Sequence, residues 1–311
     1  CAGCGETPYL TNLTRMFSDN LIIANATGCS SIYSASMPSI AYNIPWASSL
    51  FEDNSEYGLG IKTGINVKRN KIKKYMEDNM TPLFKKWINN MDNYEICKEV
   101  KDKIDYNSHP YLEKLKDYIV PKSMWIIGGD GFAYDIGFGG LDHVLSTNEN
   151  INILVLDTEV YSNTGGQSSK SSNLGSIASF TSNGKKNYKK DLARMAMCYP
   201  NVYVAQTNIG YNQEQYLKVL KEATNHNGPS LIIAYSPCIE HGIKQGMEHS
   251  QTNAYLATEC GYFITFRYNP DIKELTMDSK PNFDKYDEFL MTENRYANLK
   301  QINPKDCDKI L

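Results

Sequence analysis

No apolar run in this chain approaches the length of a membrane span, and no charged n-region leads into an apolar h-region. A membrane helix and a secretory signal are both excluded within it. There is no basic excess either. Lys and Arg number 32 against 35 Asp and Glu, a formal net charge of −3, so nucleic acid is not an expected partner. Cysteine is sparse: eight residues in 311 cannot form a small disulfide scaffold. Their uneven spacing reads better as metal ligation in a reducing compartment, cytoplasmic or similar. No internal repeat is visible. The chain begins at Cys1 with no initiator Met, which reads as a piece of something longer. Its length suits one large α/β domain or two small ones, with a real core in either case.

What is present centres on Gly129-Asp130-Gly131. The apolar run Met124-Trp125-Ile126-Ile127 before it has the length of a buried parallel strand. Its glycines let the backbone turn sharply around one carboxylate and approach a ligand. A second apolar run, Ile151 to Leu156, ends in Asp157-Thr158-Glu159-Val160-Tyr161-Ser162-Asn163-Thr164-Gly165-Gly166-Gln167. Asp135 to Leu145 reads as the crossover helix between them. Ligands of open α/β sheets bind at the carboxyl ends of strands, and a hard cation suits this edge. Asp130 offers a charged oxygen, Thr158 a hydroxyl and Val160 a main-chain carbonyl, a set that fits Mg²⁺ completed by phosphate and water. Gly129-Asp130-Gly131 alone would be a Gly-rich turn with a solvated Asp; the second motif makes it more.

Cysteine marks further strand ends. Cys1 and Cys4 form a CxxC on a Gly-containing turn, followed by helical spacing over Thr11 to Asn20. Leu21 to Ala24 reads as a strand, with Cys29 in the loop after it. Cys238 follows the strand-like Leu231 to Tyr235, with Cys260 as its rival. Three thiolates satisfy neither a cubane nor a structural zinc, so a fourth ligand is required. Cys97, Cys198, Cys260 and Cys307 read as small buried hydrophobes.

The Gly-Asp-Gly opening resembles the diphosphate motif of thiamine-diphosphate enzymes. That motif usually closes on Asn; Thr158 stands there, as in the pyruvate:ferredoxin oxidoreductases. The blocks CAGCGETPY, NATGCSSIY, PWASSLFEDNSEYGLG, GDGFAYDIGFGGLDHVL, DTEVYSNTGGQSSKSS, KKDLARMAM and SPCIEHG occur in this order. From Cys1 to about Pro270 the chain is similar to the C-terminal thiamine-diphosphate domain of pyruvate:ferredoxin (flavodoxin) oxidoreductases. The resemblance implies a doubly wound, mostly parallel α/β sheet. It implies a [4Fe–4S] cluster on Cys1, Cys4, Cys29 and Cys238. The implied cofactor-binding set is Glu6, Cys29, Gly129, Asp130, Gly131, Phe132, Thr158, Glu159, Val160, Tyr161, Ser162 and Asn163. Main-chain amides around Gly129 to Phe132 and at Ser162 would hold the diphosphate, and Asn163 the substrate oxygen.

The implied reaction is oxidative decarboxylation of pyruvate with CoA to acetyl-CoA and CO₂, in a homodimer. Electrons would pass to ferredoxin, flavodoxin or a fused flavoprotein that reduces NADP⁺. The Glu that activates thiamine lies in upstream domains of the same polypeptide in that family, so this piece is expected to be inactive alone. A non-catalytic iron–sulfur module would need the cysteines but not Asp130, Thr158 and Asn163. A zinc-stabilised domain would keep its ligand pairs close in sequence.

The remaining segments have lesser expected roles. Trp46, Leu50, Phe51 and Tyr57, within Ser39 to Gly60, could wall a thiazolium or form a plain aromatic cluster. Asn66 to Pro121 reads as a surface helical insertion with a solvated charged face, carrying His109 in a loop. Ser168 to Lys190 reads as a mobile lid. Lys170, Lys185 and Lys186 in it suit CoA phosphates, though solvated surface lysine is the commoner outcome. Leu192 to Met197, Gln213 to Ala223 and His241 to Tyr255 read as helices, and Val202 to Ala205 as a strand. Residues 271–311 read as a charged tail or linker.

Overall fold

Each short apolar run of the sequence lies in a strand, and a polar or glycine-rich turn follows it. The computed structural model describes residues 1–17, 20–35 and 46–304. Cys307 lies outside them, as do residues 39–45 of the aromatic stretch and 305–311 of the expected tail. In chain order, α1 (Thr7–Phe17) leads into β1 (Leu21–Ala26), α2 (Cys29–Ala35) and β2 (Trp46–Ser49). A helical stretch comes next: α3 (Asn54–Asp78), α4 (Pro82–Ile88), α5 (Tyr94–Lys103) and α6 (Pro110–Glu113). Then come β3 (Ser123–Gly128), α7 (Asp130–Ala133), α8 (Phe138–Ser146) and β4 (Asn152–Asp157). A small hairpin, β5 (Val160–Tyr161) and β6 (Gln167–Ser168), precedes α9 (Leu192–Ala196), β7 (Tyr203–Thr207), α10 (Gln213–Asn225) and β8 (Ser230–Tyr235). The chain continues through α11 (Ser250–Glu259), β9 (Phe266–Asn269), β10 (Glu274–Met277), α12 (Tyr286–Leu290), α13 (Asn294–Ala297) and α14 (Leu299–Ile302).

The main sheet runs β10-β9-β7-β8-β4-β3-β1-β2. Its six strands from β7 to β2 are parallel, while β9 and β10 pair antiparallel at one edge. Both faces are covered. Met124, Ile126 and Ile153 point into one apolar cluster and Trp125, Ile127 and Leu154 into another, as expected of parallel strands without polar alternation. The architecture is therefore a mostly parallel α/β sheet with helices on both sides. Strands β8, β4, β3 and β1 are neighbours, so the residues after Tyr235, Asp157, Gly128 and Ala26 emerge side by side at one edge. Adjacent strands lie about 4.8 Å apart, which puts the four ends within roughly 15 Å.

The helical stretch begins earlier than residue 66. The side chain of Asn54 donates to Ala24 O and Ile127 O, both at 3.2 Å, which ties α3 to β1 and β3. A Cβ on Gly58 would sit 2.4 Å from Ile126 Cγ1, so a glycine lets the helix lie against the sheet. Beyond that contact, Ile72, Met76, Phe84, Trp87, Cys97, Val100 and Leu112 form a core of their own. Only the outer charges of this region are a solvated face. His109 stacks edge-on against Tyr75 and Phe84, at the start of α6. Trp87 is fully buried and its indole N–H donates to Ile119 O at 2.8 Å. Trp87→Ala should lower unfolding free energy by about 3–5 kcal/mol in urea titrations; a loss below about 1 kcal/mol would mean that this core relaxes around the gap.

Two further boundaries differ from the sequence reading. Cys29 opens helix α2 rather than lying in a loop. Residues 239–249 form two 3₁₀ turns before α11 instead of one long helix. The segment from 271 is not a tail as far as residue 304. It contributes β10 to the sheet, and Phe289, Leu290, Tyr296 and Leu299 to the buried interior. Its Glu293 and Arg295 are buried as well, with polar partners in the body of the domain.

Candidate functional site: two adjoining chambers at the strand ends

The CxxC turn closes through Cys4 N–H donating to Cys1 O at 3.2 Å. It packs against the end of β8. Gly5 N–H donates to Pro237 O at 3.0 Å, and a Cβ on Gly5 would sit 2.4 Å from Pro237 N, so no larger residue permits this approach. Cys1, Cys4, Cys29 and Cys238 together line a cavity of about 210 Å³, with Glu6, Tyr33, Thr158, Ser162 and Asn163. Cys260 lies elsewhere, in the apolar core, its thiol donating to Ala257 O. Cys97 is buried as well, whereas Cys198 is exposed. Burial raises the thiols of Cys4 and Cys29, with the nearby Glu6 adding to it, and pushes Cys238 up to about 12. Such thiols stay protonated until a metal takes them as thiolates. Among the described residues, no three His, Cys, Asp or Glu side chains converge closely enough to hold a single ion. A cubane instead takes four thiolates at separate corners, and a cavity walled by four cysteines suits that geometry.

The second chamber encloses about 610 Å³. Asp130, in the first turn after β3, is buried at 3 % exposure. Its Oδ2 accepts from the Ser169 hydroxyl, and its Oδ1 is buried with no hydrogen-bond partner. Burial, then the charge of Asp157, pushes this carboxyl well above the ordinary carboxylate range. An unpartnered buried carboxylate oxygen is costly; a cation beside it removes the cost. After the neighbouring strand β4, the Thr158 hydroxyl donates to Val160 O at 3.0 Å, so the two neutral oxygens expected of a Mg²⁺ site are already adjacent. A Cβ on Gly131 would meet the rings of Phe51 and Tyr161 at 3.0 Å, so the glycine keeps the chamber open.

The expected residues Glu6, Cys29, Gly129, Asp130, Gly131, Phe132, Val160, Tyr161, Ser162 and Asn163 all line this larger chamber. Thr158 lines the cysteine chamber. Glu6, Cys29, Ser162 and Asn163 face both and form their common wall. There the Cys29 thiol approaches Asn163 Oδ1 at 3.8 Å. Glu6 is buried, its Oε2 unpartnered, and burial raises its carboxyl to about 7 against the pull of Tyr33. Of the expected aromatic wall only Phe51 reaches the chamber. Ile136 and the exposed Phe180 stand on its lining as well, residues that sequence reasoning missed because nothing local marks them.

One expected cofactor residue is corrected. Glu159 borders neither chamber. Its carboxylate accepts from Lys189 at 2.8 Å, from Arg295 at 2.7 Å and from the Tyr262 hydroxyl at 2.6 Å. Burial alone would raise it, but Lys189 and then Arg295 hold it down to about 2. The lid reading of 168–190 also changes. Lys185 is buried and donates to Ser169 O at 2.7 Å and Ser172 O at 2.6 Å, and Lys189 also pairs with Asp157 at 2.7 Å. Of the three lysines expected to suit CoA phosphates, Lys170, 3.7 Å from Asp135, and Lys186 are exposed. The stretch is anchored to the site through Lys185 and Lys189, while Phe180, Lys186 and Tyr188 on it stay exposed.

Residues 115–234 match the family described as the thiamine pyrophosphate enzyme, C-terminal TPP binding domain. Over 100% of its length the chain is 46% identical to the pyruvate-flavodoxin oxidoreductase of Klebsiella pneumoniae. Residues 115–234 thus carry the match to a thiamine-pyrophosphate-binding domain, and the whole chain is similar to one part of pyruvate oxidoreductases. It is 44% identical to the pyruvate:ferredoxin oxidoreductase of Moorella thermoacetica over 100% of the chain. It is 42% identical to the mitochondrial pyruvate dehydrogenase [NADP(+)] of Euglena gracilis over 99%. The chain spans 29% of the first two relatives and 19% of the third. Among solved structures, a 2-oxoglutarate:ferredoxin oxidoreductase from Magnetococcus marinus shares the fold, with a TM-score of 0.53 and 17% identity. That match covers 98% of this chain and 91% of the other. No helix among the described residues is long and apolar enough to cross a membrane.

Proposed function

We propose that this chain holds the thiamine diphosphate and proximal iron–sulfur cluster of an enzyme that converts pyruvate and CoA to acetyl-CoA and CO₂. Two electrons would pass to ferredoxin, flavodoxin or a fused NADP⁺-reducing flavoprotein. The observation that carries this reading is the shared wall: a chamber with an unpartnered buried carboxylate adjoins one lined by four cysteines. An electron-transfer module alone would have no need of the first chamber, nor a zinc domain of cysteines so far apart in sequence. When bound, thiamine diphosphate supplies the carbon nucleophile and the sink for the electron pair released with CO₂, and the cluster supplies single-electron exits.

The chain's own residues have distinct tasks in this reading. Asp130, Thr158 and the Val160 carbonyl hold Mg²⁺, and the amides of Gly129 to Phe132 and Ser162 meet the diphosphate. Cys1, Cys4, Cys29 and Cys238 ligate the cluster. Phe51 and Phe132 keep water from one side of the reacting centre. Asn163, on the wall common to both chambers, carries an NH₂ group that can donate. That donor stabilises the oxyanion that develops on the substrate carbonyl, without adding a charge that would oppose CO₂ loss.

In the full-length enzyme Asn163→Ala should therefore keep cofactor and iron content. Pyruvate-dependent cluster reduction should fall by roughly two orders of magnitude. Anaerobic purification followed by iron, sulfide and thiamine analysis, with the reduction rate measured on the same samples, tests the reading. Undiminished reduction at intact cofactor content would make Asn163 a turn residue.

A further inference from the structure

The turn that brings Thr158 Oγ1 and Val160 O together has Glu159 at its centre, in the left-handed region at φ 59. A residue with a Cβ adopts that conformation only where its surroundings over-determine it. Here they do. Lys189, Arg295 and Tyr262 fix the carboxylate from three sides. The Ser172 hydroxyl donates to Glu159 O, and His241 Nε2 lies 2.7 Å from Thr158 O. Arg295 is itself held by Glu293 at 2.6 Å, and Glu293 by Asn253 at 2.6 Å. Glu159, His241, Glu293 and Arg295 are all at most 3 % exposed.

We propose that Glu159 is the positioning residue of the cation site and that Arg295 is its lock. The pair holds the turn so that Thr158 and Val160 present their oxygens at the spacing of a small hard ion. This inference rests on the Mg²⁺–diphosphate reading and deepens it. Mg²⁺ demands near-ideal octahedral geometry at short distances, whereas Ca²⁺ tolerates longer and less regular shells. A lock on the loop therefore acts on selectivity. Loosening it costs Mg²⁺ more than Ca²⁺.

The test uses the full-length protein and calorimetric binding of thiamine diphosphate with either MgCl₂ or CaCl₂. Glu159→Gln keeps a side chain able to meet Lys189 and Tyr262 but removes the charge that Arg295 holds. It should lower the Mg²⁺/Ca²⁺ affinity ratio about tenfold. Arg295→Lys, which retains the charge but not the fork, should fall between Glu159→Gln and the parent. Iron content reports that the fold survives, and either variant alone suffices if the other does not fold. Equal losses with both cations would make Glu159 merely structural and overturn the proposal, as would an unchanged ratio. A parent protein that binds thiamine diphosphate equally well without any divalent cation would overturn the underlying reading instead.

Discussion

Asp130→Ala is expected to abolish Mg²⁺-dependent thiamine diphosphate binding by the full-length protein. The carboxylate is buried, one oxygen is held by Ser169 and the other has no partner. In the proposed reading the anionic diphosphate would enter this chamber of glycine, polar and aromatic groups, with Asp130 as the charged anchor for its cation. Removing one partner of a buried charge pair costs about 3–5 kcal/mol, which is roughly two to three and a half decades in Kd. Asp130→Asn separates charge from packing. It keeps the volume and an oxygen for Ser169, yet should lose nearly as much affinity as the alanine variant. Calorimetric titration at saturating Mg²⁺ measures both. Asparagine binding like the parent would show that Asp130 serves the turn and not the cation.

Cys238→Ala should remove the low-temperature EPR signal of the reduced cluster, and Cys260→Ala should leave it. The contrast comes from position. Cys238 stands after β8, where Gly5 brings the CxxC turn within hydrogen-bonding distance of Pro237, and it shares a cavity with Cys1, Cys4 and Cys29. Cys260 is enclosed by apolar side chains on one face of the sheet. A cubane that loses one of four thiolates loses its coordination, so iron and sulfide per chain should fall together in the first variant only. A protein reconstituted anaerobically with iron and sulfide that carries zinc alone would contradict the assignment.

Much of this site was legible in the sequence because each part lies at the end of a short apolar run. Ile126-Ile127 before Gly129, Leu156 before Thr158 and Ala234-Tyr235 before Cys238 announce buried strands by length and composition. Residues just past the carboxyl end of a strand in such a sheet face the ligand edge. The glycines at 3, 5 and 131 carried a signal too, although only the packing shows what each avoids. The pairings that hold the edge from behind had no such signal. Arg295 and Glu159 lie 136 positions apart, and no periodicity connects them. Residues 271–311 read as a charged tail, and solvation as the commoner fate of Lys185, because charged residues are mostly exposed; the burial of Glu293, Arg295 and Lys185 depends on partners that only the fold supplies. The start of α3 was hidden for a local reason. Gly58, Gly60 and Gly64 lower helix propensity in its first turns, while packing of Gly58 on Ile126 overrides it.

If thiamine chemistry and single-electron exit meet at one wall, made of Glu6, Cys29, Ser162 and Asn163, then the cluster fills only through the cofactor. Freeze-quench EPR of the anaerobic full-length enzyme, mixed with pyruvate and CoA, puts that dependence to the test. A reduced [4Fe–4S] signal should appear within a turnover in the parent. It should be absent in Asp130→Ala, even though that variant retains its iron and its dithionite-reducible cluster. A pyruvate-dependent signal of parental size and rate in Asp130→Ala would show the reverse, because the cluster would then be filled by a route that does not pass through this site.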